Sequence, residues 1–131
     1  MKKNLLLIIS ILIVIWMGGC SEKGIYIDET ESFFSKYTIE DGMVYIECEL
    51  LVKNSTGSEK VIEIIGHFDK DVENGLLKNG ELNGYQGEKR EIVISGRESW
   101  ITVVFRGEHA GGDKKYDRNL PEIQIISKDV K

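Results

Sequence analysis

The sequence predicts an all-β domain, an antiparallel immunoglobulin-like β-sandwich of six or seven strands. Three observations carry that expectation. Met43 to Lys53 alternates apolar and polar residues, and shorter alternating runs recur at 60–68, 90–95, 100–106 and 122–127. Turn-forming residues separate these runs, starting with Asp41-Gly42. No stretch of the domain carries the periodicity of a long amphipathic helix.

Before the domain stands a different kind of segment. Lys2 and Lys3 form a short positive region, and Leu5 to Met17 is an apolar run that fits a secretory signal. A helix crossing about 30 Å of hydrocarbon needs roughly 20 apolar residues, so the run is short for that role. It ends in Met17-Gly18-Gly19-Cys20, where two residues without bulk let a peptidase hold an extended backbone beside the thiol. The segment resembles the lipobox of bacterial lipoproteins, with Met17 in place of the usual Leu and Gly18 in place of Ser, Ala or Thr. The resemblance implies a signal peptide over residues 1–19, a diacylglycerol-modified Cys20, and a membrane-anchored protein facing out of the cytoplasm. Two acyl chains would hold firmly, because each buried methylene contributes about 0.8 kcal/mol.

Residues 20–35 then read as the lipidated cysteine and a polar tether, with Ile25-Tyr26-Ile27 as a candidate edge strand, and residues 36–131 as the domain. Lys36 to Glu40 is β-prone, and Asp41-Gly42 closes a hairpin because both positions tolerate positive φ. The second strand places Val44, Ile46, Cys48, Leu50 and Val52 on its core face, and only Leu51 interrupts the polar one. Asn54 to Ser58 turns the chain into a strand from Lys60 to Phe68, with Ile62, Ile64 and Phe68 inward. Residues 69–87 lose the pattern and allow one or two helical turns capped by Asp69 or Asp71. The next pair of strands offers Ile92, Ile94, Ile101, Val103 and Phe105 to the core, and the last offers Ile123 and Ile125. Pro121 sits where a strand begins without losing a ladder donor.

Loss of Lys2 and Lys3 with the signal moves the formal charge from −5 to −7. An acidic surface argues against nucleic acid and against adhesion to anionic lipid. With Cys20 committed to lipid, Cys48 is the one remaining thiol, and no intramolecular disulfide forms.

Strand parity places the long loops. If Met43 runs up, Lys60 runs down and 69–87 lies at the lower end with Asp41-Gly42, where 107–121 joins it after the strand from Trp100. The tether enters at the upper end. Two long loops at one end of a sandwich form the natural contact surface.

Two constellations follow at that end. Asp69, Asp71, Glu73, Asp113 and Asp117, with Asp41 nearby, are candidate ligands for calcium, which takes six to eight oxygens. Asp69 to Gly75 begins like an EF-hand loop but has Asn74 where glycine belongs and Gly80 where the final glutamate belongs. The second constellation is Glu108, His109, Gly111, Gly112, Lys114, Lys115 and Arg118, in which two glycines and three cations form a candidate anion nest or contact loop.

The sequence therefore reads as a lipid-anchored extracytoplasmic domain that binds a protein or glycan through loops 69–87 and 107–121. Two alternatives stand beside it. A metal-dependent enzyme would gather His67, Asp69, Asp71, Glu108 and His109 in a pocket. An accessory subunit of a membrane complex would expose an apolar patch around Leu51, Val61, Ile65 and Ile126.

Overall fold

A computed structural model describes residues 24–129; the expected signal peptide 1–19, the lipobox-like Met17-Gly18-Gly19-Cys20 and the start of the expected tether lie outside the described residues. The elements are β1 (Ile25–Ile27), β2 (Phe33–Glu40), β3 (Met43–Asn54), β4 (Lys60–His67), α1 (Asp69–Glu73), β5 (Glu81–Tyr85), β6 (Ile92–Ile94), β7 (Glu98–Glu108) and β8 (Glu122–Asp129).

β3 is the spine of one half. Its strict alternation leaves Val44, Ile46, Cys48, Leu50 and Val52 fully buried. β7 covers one edge of β3 from Met43 to Lys53, while β2 and β1 share the other, over Met43–Glu49 and Val52–Asn54. Asp41 and Gly42 close the β2–β3 hairpin with φ of 50° and 76°, the left-handed pair that a two-residue turn requires.

β1 and the start of β2 fall within residues 20–35, where the sequence suggested a flexible tether. A polar jog makes this ordering feasible: the Asp28 carboxylate accepts the N–H groups of Thr30 and Glu31, and the buried Ser32 hydroxyl accepts the Leu51 N–H at 2.9 Å. The polar residues that suggested a loose linker instead satisfy the main chain where β1 hands over to β2.

β4 is the spine of the other half. β8 runs along one edge, and β6 and β5 divide the other, over Lys60–Ile62 and Ile65–His67. β5 also pairs with β7, at Gly84 opposite Phe105 and Tyr85 opposite Val104. The immunoglobulin-like sandwich expected from the sequence has two separate sheets, but here β5 joins both halves into one antiparallel sheet of eight strands among the described residues, bent nearly into a barrel. Glycine makes the junction: a Cβ on Gly84 would lie 2.5 Å from Val103 Cγ1.

The hidden strand does not upset the parity, since β5 and β6 are both antiparallel to β4 and run in the same direction. The loops meet as counted. His109 donates its N–H to the Gly42 carbonyl, Ala110 to Leu76 and Gly112 to Gly75, each at 2.9 Å. At the opposite end Ser55 donates to the Gly24 carbonyl at 2.7 Å, so the chain enters there.

Candidate binding cleft

Among the described residues the barrel does not close: β2 pairs with β3 alone and β8 with β4 alone, so each has an unpaired edge there, and the strap of residues 113–121 crosses to the start of β8. Side chains from two elements, β2 and α1, hold that strap. Tyr37 on β2 donates its hydroxyl to Asp113 Oδ1 at 2.7 Å, and Tyr116 donates to Asp71 Oδ1 at 2.7 Å. Arg118 Nη1 lies 2.5 Å from the same Asp71 oxygen.

α1 presents Asp71 from a single helical segment that begins at Phe68 without a side-chain cap, so neither Asp69 nor Asp71 serves as the cap its sequence suggested. Asp71 is buried, and its carboxylate is spent on Arg118 and Tyr116. The guanidinium is boxed by aromatic rings, its carbon 4.5 Å from the Tyr37 centroid, 4.6 Å from Tyr116 and 5.9 Å from Phe34. Such rings favour a cation over their faces. Nη2 is buried and has no hydrogen-bond partner among the described residues. The setting alters the phenols: burial, then the bond to Asp71, pushes Tyr116 up to about 12, and the bond to Asp113 raises Tyr37.

A cleft of about 500 Å³ opens between the start of β2 and the strap that leads into β8. Ser32, Phe33 and Phe34 form one wall and Asn119, Leu120 and Pro121 the other, with Arg118 at the end and Glu29 and Glu122 among the lining residues. Arg118 already faces Asp71, so the uncompensated charge here is negative. The arrangement offers a slot of mixed lining, with Phe33, Phe34, Leu120 and Pro121 beside polar residues and two acids, and it borders a strand edge.

The calcium candidates do not converge. Asp69 and Glu73 are exposed on α1, Asp113 holds Tyr37, Asp117 is exposed, and Asp71 holds Arg118. Among the described residues no group of three or more His, Cys, Asp or Glu could hold a metal ion. The same finding applies to the pocket of His67, Asp69, Asp71, Glu108 and His109.

The loop candidates are likewise absorbed into the fold. Glu108 pairs with Lys78 at 3.4 Å, and His109 Nε2 lies 2.8 Å from the Gly112 carbonyl. Gly111 takes a φ of 102°, but the Gly112 N–H expected to line an anion nest is already given to Gly75. Packing is close enough there that a Cβ on Gly112 would lie 2.8 Å from the Gly75 oxygen. Lys114 and Lys115 are exposed, whereas the Arg118 side chain is buried. Loops 69–80 and 107–112 thus close the end of the barrel by bonding to each other. The strap is the part of the second loop that borders the cleft.

Glu29, Ser32, Phe33, Phe34 and Tyr37 escaped notice because four of them fell in the supposed tether and the fifth in a short strand. A signal was present: two adjacent phenylalanines and a tyrosine in a tether are out of character, since unfolded linkers are poor in aromatics. No protein-family model, curated protein or solved structure matches the chain.

Proposed function

We propose that this chain is a lipid-anchored extracytoplasmic binding domain that takes an extended, cationic segment of a partner protein in the cleft between β2 and β8. The observation that carries the reading is the cleft beside β2, which pairs only with β3 among the described residues, lined by Phe33, Phe34, Leu120 and Pro121 and by Glu29 and Glu122. An added strand would satisfy main-chain groups and seat alternate side chains against Phe33, Phe34, Leu120 and Pro121. Glu29 and Glu122 give the preference for Lys or Arg in that segment, as opposite charge favours the right partner and speeds encounter. The contact surface thereby moves from the loops that the sequence favoured to the seam they help to close.

Panning a random peptide library against the mature chain tests this. Enriched peptides should alternate apolar residues with Lys or Arg, and the double reversal Glu29→Lys/Glu122→Lys should weaken them about tenfold or more, equivalent to about 1.4 kcal/mol. Both residues are exposed, so the melting temperature should not move. Peptides indifferent to the reversal, or no enrichment at all, would overturn the assignment.

A further inference from the structure

Three exposed aromatic side chains occupy one outer face. Phe33 and Trp100 are 51 % and 54 % exposed with ring centroids 6.5 Å apart, and Tyr26 is 43 % exposed. Trp100 stands opposite Leu51, Tyr26 opposite Lys53 and Phe33 opposite Glu49. Leu51 alternates with the inward Leu50 and Val52 and so points outward, yet it is only 6 % exposed. The charges nearby are engaged: Lys53 with Glu98 and Asp28, and Glu49 with the Thr102 hydroxyl.

Position gives this face its meaning. Phe33, the member farthest from the end where Gly24 enters, pairs five residues from Asn54, or roughly 17 Å along the strand. Cys20 precedes Gly24 by four residues, a reach of about 14 Å at full extension. A lipid on Cys20 would therefore hold this end within one short linker of the bilayer, and the aromatic face reaches over a similar distance from the same point. Tyr and Trp rings, apolar in body with a polar tip, settle at membrane–water interfaces, and the Phe33 ring adds apolar surface beside them.

We propose that Tyr26, Phe33 and Trp100 rest in the interfacial layer of the membrane to which Cys20 tethers the domain, so that the barrel lies on the bilayer in one orientation. This rests on the anchor reading of Cys20, and it shares Phe33 with the cleft, whereas Tyr26 and Trp100 do not line it. Because Lys53 is engaged by acids, adhesion is apolar and needs no anionic lipid.

Trp100 is the sole tryptophan after Cys20 and reports on its own surroundings. The mature chain, acylated in a lipidating bacterial host, is reconstituted in phosphatidylcholine vesicles with and without brominated acyl chains. Expected are an acyl mass on Cys20, a blue-shifted Trp100 emission and its loss to bromine quenching. Tyr26→Ser/Phe33→Ser should reduce the quenching while the protein still floats with the vesicles. Floating protein whose Trp100 stays solvent-exposed and unquenched would overturn the surface and leave the anchor standing. A blue shift without quenching would assign the face to a second copy of the chain. No acyl mass on Cys20 would overturn the anchor, and the proposal with it.

Discussion

Arg118 and Asp71 meet at 2.5 Å although β5, β6 and β7 separate them along the chain, and both side chains are buried. This pair ties the strap to α1. Because a buried ion left without its partner cannot be solvated, Arg118→Met should cost about 3–5 kcal/mol. Asp71→Asn keeps an oxygen for Tyr116 and removes the charge, so the double variant should be more stable than the sum of the single losses implies. Equilibrium urea unfolding of the four proteins measures the coupling. Additive losses would mean that the pair does not act as a unit.

Alkaline pH should loosen the same contact. Tyr116 has its folded pKa raised from the usual 10.0 to about 12, with burial the first cause and the bond to Asp71 the second. Its contribution is fully present below pH 10 and is lost as pH rises through about 12, since the unfolded chain ionises first. Tyr116→Phe gives up the hydrogen bond but should flatten the decline. Urea midpoints measured across that interval compare the two slopes; equal slopes would place the alkaline loss elsewhere.

Much of this architecture was legible because burial imposes a period on sequence. Val44 to Val52 could be assigned inward from alternation alone, and all five positions are buried. β5 was not legible for a physical reason. Glu81-Leu82-Asn83-Gly84-Tyr85 contains no β-branched residue, and one of its two inward positions is a glycine whose value lies in lacking a side chain. The cleft was hidden differently. Asp71 and Arg118 were both singled out, one as a metal ligand and the other as an anion contact, but sequence distance conceals that they satisfy each other. The outward Leu51 was the visible exception on a polar face, and Trp100 standing opposite it accounts for its burial.

The β5 junction can be tested by adding one methyl group. Gly84→Ala would set its Cβ 2.5 Å from Val103 Cγ1 and 3.1 Å from Phe105 Cε1. Overpacking of this kind should cost about 1–3 kcal/mol. Removing the obstructing methyls with Val103→Ala should make the pair less harmful together than the sum of the two alone, as neighbours sharing one space are non-additive. Thermal melts of the single and double variants decide it. A neutral Gly84→Ala would show that β5 and β7 do not approach so closely.

Cys48 gives a measure of how firmly the barrel holds shut. Its side chain is fully buried, and burial is the chief reason that its thiol is pushed up to about 12. At pH 8 almost no thiolate forms in the folded protein, and reagent has no route to it. Iodoacetamide labelling should therefore proceed only through opening of the domain, slowing as stability rises and accelerating in Arg118→Met. Cys48→Ser should cost about 1–3 kcal/mol, because the hydroxyl it buries finds no partner on a face lined by Ile46, Leu50 and Val103. Rapid labelling of the native chain, at a rate indifferent to denaturant, would mean that β3 is reached without unfolding.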